Sequence, residues 1–148
     1  MDAIRSADAG GLATVEAIVR EAYAVYTPRI GKPAGPVLAD YAALIAGGHV
    51  HVLDSDGTIV GVLVLLDEPD ALLLEVIAVA PTAQGRGFGR RLIAFAEAAA
   101  GDAGHDVLRL YTNEVMTESQ ALYRRLGFVE THRAVEDGYR RIHMRKAL

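Results

Sequence analysis

The sequence predicts a single α/β domain built on a mixed sheet with helices on both faces. Three observations predict it. Apolar runs of strand length alternate with segments whose apolar residues recur every three or four positions. Two Asp-Gly dipeptides lie between strand-like runs, and a glycine-rich turn joins an apolar run to an amphipathic one. The 148 residues suit one compact domain, 1–148, and no repeat, low-complexity tract or linker divides them.

Ala3 to Ala7 reads as a short strand, with Asp8 as the cap of the helix that follows. Leu12, Val15, Val19, Ala22 and Tyr26 recur at steps of three and four, which predicts an amphipathic helix from about Gly11 to Tyr26. Thr27 to Pro36, rich in Pro and Gly, reads as a loop, and Val37, Tyr41 and Leu44 mark a second short helix. His49 to Asp54 and Ile59 to Leu66 flank Asp56-Gly57 as a hairpin. The second of these runs is apolar apart from Gly61, which predicts a central strand buried on both faces.

Ala71 to Val79 is the next strand, stopping before Pro81. Gly87 to about Ala100 carries Leu92, Phe95 and Ala99 on one helical face, with Gly101 or Gly104 near its end, and Val107 to Thr112 is a strand. Thr117 to Leu126 is a short helix, with Thr117 and Gln120 spaced as a capping box and Gly127 as its stop. Phe128 to Arg133 and Tyr139 to Lys146 form a closing hairpin around Asp137-Gly138.

Composition narrows the function. Fifteen basic and nineteen acidic side chains give a formal charge of −4, which argues against a general nucleic-acid binder. No apolar run approaches the ~20 residues that span a bilayer. Met1 to Gly11 mixes charged and small residues and does not read as a signal peptide, so a cytoplasmic protein is expected. The absence of cysteine excludes disulfides, thiolate metal sites and a thiol nucleophile.

The most informative stretch runs Ile77-Ala78-Val79-Ala80-Pro81-Thr82-Ala83-Gln84-Gly85-Arg86-Gly87-Phe88-Gly89-Arg90-Arg91-Leu92. A buried strand ends, a glycine-rich turn follows, and a helix starts within it. Glycines let backbone amides approach a ligand closely, and the free amides of a helix start make an anion site. Arg86, Arg90 and Arg91 crowd that helix start, where each cation is unfavourable by roughly 0.3–1 kcal/mol. A bound polyanion reverses the sign; the alternative is a surface turn with solvated arginines. The Lys-Ser/Thr of a nucleotide P-loop is missing, and the spacing of Gly85, Gly87 and Gly89 is not the dinucleotide pattern.

Gln84-x-x-Gly87-x-Gly89, after the Val79-x-Pro81 strand end, resembles the acetyl-CoA loop of the GNAT superfamily of N-acetyltransferases. Asn113 to Phe128, with Ala121-Leu122-Tyr123-Arg124-Arg125-Leu126-Gly127-Phe128, is similar to that superfamily's second signature. The resemblance covers nearly the whole chain and is strongest from Leu72 to Phe128. It implies a mostly antiparallel mixed sheet and acetyl transfer to an amine by direct attack within a ternary complex. It also implies acetyl-CoA as co-substrate, with no metal. Main-chain groups of Ile77, Ala78 and Val79 would meet the pantetheine arm, and Val79 N–H the thioester oxygen. Gln84, Gly85, Arg86, Gly87, Phe88, Gly89 and Arg90 would hold the pyrophosphate. Asn113 would face the cofactor; Ser119 stands where many similar sequences carry Asn, which leaves its contact open.

An alkyl amine with a pKa near ~10.4 is about three units from its reactive form at pH 7, a cost of about 4–5 kcal/mol that a base or water relay lowers. Glu75 is the candidate base, as the sole ionisable residue of an apolar strand, two positions before Ile77 and so on the face of Ile77 and Val79. Its pKa is expected to be raised if it is buried. The alternative is a solvent-facing Glu with no part in the chemistry. Tyr123 matches the family's tyrosine that serves the leaving thiolate; the alternative is a tyrosine packed on the sheet. Tyr23, Tyr26 and Arg29 precede the Pro/Gly loop where the family usually forms its acceptor site, although helix core explains the two tyrosines as well.

Other residues are left unpromoted. His49 and His51 share a strand face but lack a third ligand at metal spacing. His105, His132 and His143 read as solvated or locally bonded, and the Arg124-Arg125 and Arg140-Arg141 pairs as solvated faces. The leading expectation is an N-acetyltransferase acting on a small-molecule or peptide amine, with no nucleic-acid or membrane partner and a homodimer left open by analogy. The alternative is a non-catalytic acyl-CoA-binding module.

Overall fold

A computed structural model describes Met1–Leu148, the whole chain. Seven strands form one sheet: β1 (Asp2–Ser6), β2 (Val50–Ser55), β3 (Thr58–Asp67), β4 (Leu72–Val79), β5 (Val107–Asn113), β6 (Val129–Glu136) and β7 (Tyr139–Ala147). Their spatial order is β1-β2-β3-β4-β5-β7-β6. Every neighbouring pair is antiparallel except β4 and β5. The helices are α1 (Leu12–Tyr23), a single turn α2 (Thr27–Ile30), α3 (Tyr41–Ala46), α4 (Phe88–Asp102) and α5 (Thr117–Arg125). No helix is long and apolar enough to cross a membrane.

Both Asp-Gly dipeptides make the hairpin turns expected of them. Asp56 and Gly57 take φ of 52° and 88°, and Asp137 and Gly138 take 53° and 80°. Two successive left-handed residues match the right-handed twist of the flanking strands.

β3 shows how one apolar run serves two cores. Leu63 and Leu65 join Leu53, Leu92, Ile93, Leu108, Leu110 and Phe128 in the cluster beneath α4. Val62 and Val64 join Val15, Val19, Tyr41, Val52 and Val76 beneath α1 and α3. Strand alternation sends successive side chains to opposite faces, so leucines fill one layer and valines the other. Gly61 stands in this strand because a Cβ there would lie 3.1 Å from Leu92 Cδ1 and 3.3 Å from Leu53 Cβ. α4 closes that layer with Leu92, Ile93, Ala96 and Ala100 fully buried.

Several local expectations are corrected. The helix read as Gly11 to Tyr26 ends at Tyr23; Ala24–Tyr26 tightens into a 3₁₀ turn and α2 restarts at Thr27. Pro28 lacks an N–H and its ring would clash with the carbonyl four residues earlier, so one continuous helix cannot pass through it. The segment read as a loop from Thr27 to Pro36 therefore contains one helical turn. Asp8 makes no side-chain cap bond, and Gly11 is the residue that precedes α1. The second helix begins at Tyr41, not Val37, because Asp40 caps it by accepting from Ala43 N–H at 3.1 Å. The Thr117–Gln120 capping box does not form. Met116 is the cap residue, and Gln120 Nε2 instead donates to the carbonyls of Asn113 and Glu114, at 3.0 and 3.1 Å.

Candidate active site

The site starts from a defect in the sheet. Along β3 and β4, Val64 faces Val76 but Leu65 faces Leu74, so Glu75 has no partner on β3. Glu75 is a β-bulge, an extra residue that bends the strand and re-aims its side chain. Beside it, β4 pairs with β5 only over Leu72–Leu74, against Leu108, Arg109 and Leu110. From Glu75 to Val79 the two strands diverge. The gap opens into a cavity of about 500 Å³ that reaches from the start of α4 to the segment around Gly35.

The main-chain groups of β4 divide by parity. Ala80 N–H donates to Val60 O, so the even-numbered residues of this stretch direct their polar groups at β3. Ala78 is one of them, paired with Val62, and its methyl is buried in the core beneath α1; it offers a cavity ligand no polar group. Ile77 and Val79 face the gap. Their carbonyls are already engaged, Ile77 O by the Tyr23 hydroxyl at 2.9 Å and Val79 O by Gln84 Nε2 at 3.1 Å. What remains toward the cavity is the N–H of each.

The bulge also corrects the position of Glu75. Ile77 and Val79 pack against the core beneath α4, whereas Glu75 Oε1 accepts from the Tyr111 hydroxyl at 2.5 Å. Tyr111 alternates along β5 with Leu110 of that core and so leaves the opposite face. Glu75 thus does not continue the face of Ile77 and Val79, because the extra residue breaks the alternation. Burial, then the bond to Glu75, raises the Tyr111 pKa, so its proton stays on the phenol at neutral pH.

At the other end, Gly85 and Gly87 have φ of 82° and 81°, and a Cβ on Gly85, Gly87 or Gly89 would meet nothing within 4 Å. Gly87 immediately precedes α4, whose first residue, Phe88, lines the cavity and is buried in the core beneath the helix. The three arginines behave differently. Arg90 lines the cavity. Arg86 is exposed outside the lining, with a 3.5 Å bond to Thr82 O. Arg91 turns away to pair with Asp2 at 2.7 Å and so takes no part in the cradle.

Tyr123 of α5 lines the middle of the cavity with its ring edge-on to Phe128, centroids 5.9 Å apart. Burial, then the neighbouring Tyr26, raises its pKa well above the ordinary phenol value. Asn113 and Ser119 line the same wall, and Asn113 Oδ1 also accepts from Val115 N–H at 3.1 Å. Tyr23 and Tyr26 line the wall opposite, the pKa of Tyr23 raised chiefly by burial and then by Tyr123. Arg29 stands outside the lining, where its guanidinium donates to both Glu118 oxygens at 3.0 Å and ties α2 to α5.

Three residues that matter here escaped the sequence reading. Tyr111 holds Glu75. Tyr139 closes the far end, its hydroxyl donating to Pro33 O at 2.6 Å. Arg141, read as a solvated face, is 16% exposed and lines the cavity, its guanidinium 4.3 Å from the Tyr111 ring centroid. The available signal was strand alternation, since 139, 141 and 143 share one face of β7. His143 is buried and locally bonded, the second of the two readings the sequence allows: it sits 2.7 Å from Glu136 Oε1 and stacks on His132 at 4.2 Å. His51 packs against Phe95 at 5.0 Å, and burial lowers its pKa.

The acetyltransferase (GNAT) domain family matches residues 46–130 of the chain. No curated protein matches the sequence. Among solved structures, a GCN5-related N-acetyltransferase from Rhodopseudomonas palustris superposes with a TM-score of 0.81 at 22% identity, over 100% of this chain and 96% of that one. The ribosomal-protein-S18-alanine N-acetyltransferase from Escherichia coli gives 0.78 at 24%, over 99% and 94%. The PaiA N-acetyltransferase from Thermoplasma acidophilum, solved with coenzyme A, gives 0.77 at 18%, over 100% and 99%. At these identities the likenesses show a shared fold.

Proposed function

The chain belongs to the GNAT acetyltransferase family, and from that premise we propose that it moves the acetyl group of acetyl-CoA to a primary amine by direct attack within a ternary complex. The observation that carries this reading is the divergence of β4 from β5 at Glu75. It leaves the N–H groups of Ile77 and Val79 facing a cavity that ends at the glycine-rich start of α4.

These features fit acetyl-CoA. The pantetheine arm is amide-bearing, and an extended arm can pair with the two free N–H groups as a missing strand would. The open space at Gly85, Gly87 and Gly89 admits phosphate oxygens to the amides of the helix start, with Arg90 and the exposed Arg86 beside them. Gln84, bonded to Val79 O, braces the turn between the two contacts. Asn113 and Ser119 flank the arm from the β5 side.

Acetyl-CoA supplies the thioester carbon: the amine nitrogen bonds to it, the C–S bond breaks, and CoA leaves as the thiolate. Val79 N–H donates a hydrogen bond to the carbonyl oxygen as negative charge grows there. Glu75 receives the proton that the ammonium must lose before attack, directly or through water, with Tyr111 keeping its carboxylate turned into the cavity. The second nitrogen proton, shed as the amide forms, goes to water. Tyr123 donates to the sulfur. Its pKa lies above 10, against about 8.5 for a thiol, so full proton transfer runs uphill by at least ~2 kcal/mol. A hydrogen bond that steadies the thiolate until solvent protonates it is the easier course. Tyr23 and Tyr26 shape the acceptor side, and Arg29 acts indirectly by fixing α2 against α5.

The test is thiol release from acetyl-CoA with a panel of amines. Transfer predicts CoA release that depends on an acceptor and yields an acetylated product by mass. Tight acetyl-CoA binding with no acceptor-dependent release across the panel would leave an acyl-CoA-binding module instead.

A further inference from the structure

We infer that the acceptor carries a carboxylate as well as its amine, and that Arg141 is the residue that binds it. The inference deepens the acetyl-transfer reading of this cavity and rests on it. Arg141 lies on the cavity wall with its guanidinium stacked on Tyr111, 4.3 Å from the ring centroid, and 5.9 Å from that of Tyr139. Cation–π contacts hold the group flat and leave its edge free.

Of that edge, only Nη1 faces carboxylates; Nε and Nη2 have no side-chain partner. The nearest carboxylates, Asp137 Oδ2 at 3.5 Å and Glu136 Oε1 at 3.6 Å, both face Nη1 and lie beyond good N–H···O distance. Glu136 is moreover engaged by His143 at 2.7 Å. Nη2 points toward Gly35, where even a Cβ would sit 3.7 Å away, so this loop approaches without blocking the fork. A guanidinium presents five N–H donors in a planar fork that matches a carboxylate two bonds at a time.

The same tyrosine sets the spacing. Its hydroxyl holds Glu75 while its face carries Arg141, so an anion and a cation stand about one phenol ring apart on a single wall. A ligand that satisfies both has an ammonium at one end and a carboxylate at the other. That is the charge pattern of a free amino acid. A bare amine would leave Nε and Nη2 of the guanidinium unpaired, and a second cation on the acceptor would be repelled by it.

The experiment compares amino acids with their amides and decarboxylated amines in the thiol-release assay, with rates expressed per neutral amine. The carboxylate form should show a kcat/KM about 10- to 100-fold above its partners, the factor expected for a hydrogen bond to a charged group. Arg141→Gln should bring the three forms together while the calorimetric Kd for acetyl-CoA stays put, and Arg141→Lys should keep part of the preference. Turnover of amines with no carboxylate preference, or a preference that survives Arg141→Gln, overturns this inference and leaves acetyl transfer standing. No release with any acceptor removes both. Should the Gln variant fail to fold, the wild-type panel decides alone.

Discussion

The Tyr111 hydroxyl donates to Glu75 Oε1 at 2.5 Å, across the gap where β4 leaves β5. A bulge residue is held by a side chain from the very strand its own strand diverges from. Tyr111→Phe should therefore keep the fold and the cavity but leave the carboxylate free to rotate. We expect kcat/KM to fall by about 3- to 10-fold, the loss of one charge-assisted hydrogen bond acting at second hand, with acetyl-CoA affinity unchanged. Steady-state kinetics with calorimetry checks both halves.

Glu75→Gln removes the proposed proton acceptor and keeps the volume. General-base catalysis contributes roughly 10²–10⁴-fold, so turnover should drop by at least the lower figure. Raising the pH should recover part of it, since a larger share of the amine is then already neutral. An unchanged rate would return Glu75 to a purely structural part.

Tyr123→Phe separates binding from chemistry. The ring packs against Phe128 and, in the proposed mechanism, the hydroxyl serves only the departing sulfur, so kcat should fall by about 10- to 100-fold while acetyl-CoA affinity moves little. Because burial raises this phenol's pKa, the wild-type rate should not decline through deprotonation of Tyr123 as pH rises toward 10. A pH–rate profile reads this directly.

The glycine loop yields a paired prediction. Gly87 has a φ of 81°, and an alanine there should cost about 1–2 kcal/mol of stability as well as CoA affinity. Gly89 has no such φ and open space at its Cβ, so Gly89→Ala should leave Tm unchanged and weaken CoA alone, by crowding the phosphates. Thermal unfolding beside calorimetry distinguishes the two.

Away from the site, Arg109 holds the Glu68 carboxyl below 4.5, chiefly by hydrogen bonding, with burial opposing it. A depressed folded-state pKa adds stability above the unfolded value, and that stability disappears as pH falls through the folded one. Wild type should thus exceed Glu68→Gln at pH 7 by no more than about 1 kcal/mol, and the gap should close on acidification below 4.5. Melting curves across that window test the sign.

Much of the fold was legible because its signals are local. Asp56-Gly57 and Asp137-Gly138 announce their turns through backbone conformation alone, and the apolar run Ile59 to Leu66, following such a turn, reads as a central strand. The loop from Gln84 to Arg90 was readable for the same reason, since glycines and a helix start lie together in the chain. What stayed hidden depends on register. The bulge at Glu75 exists only relative to β3, and no spacing within β4 reveals it. Arg141 looks solvated beside Arg140 until strand pairing sets it on Tyr111, and Arg91 looks like a phosphate ligand until β1 brings Asp2 to it. Asp40 displaced Val37 as the start of α3 because an acceptor for Ala43 N–H outweighs one more apolar position.

The central claim is that CoA lies in the gap between β4 and β5 with its pyrophosphate on the amides before α4. Titration calorimetry with CoA and with pantetheine, on the wild-type protein, tests it most directly. Saturable CoA binding, with pantetheine weaker by about 10-fold or more for want of phosphates at the helix start, is the predicted result. No heat with CoA, or equal affinity for the two, would contradict it.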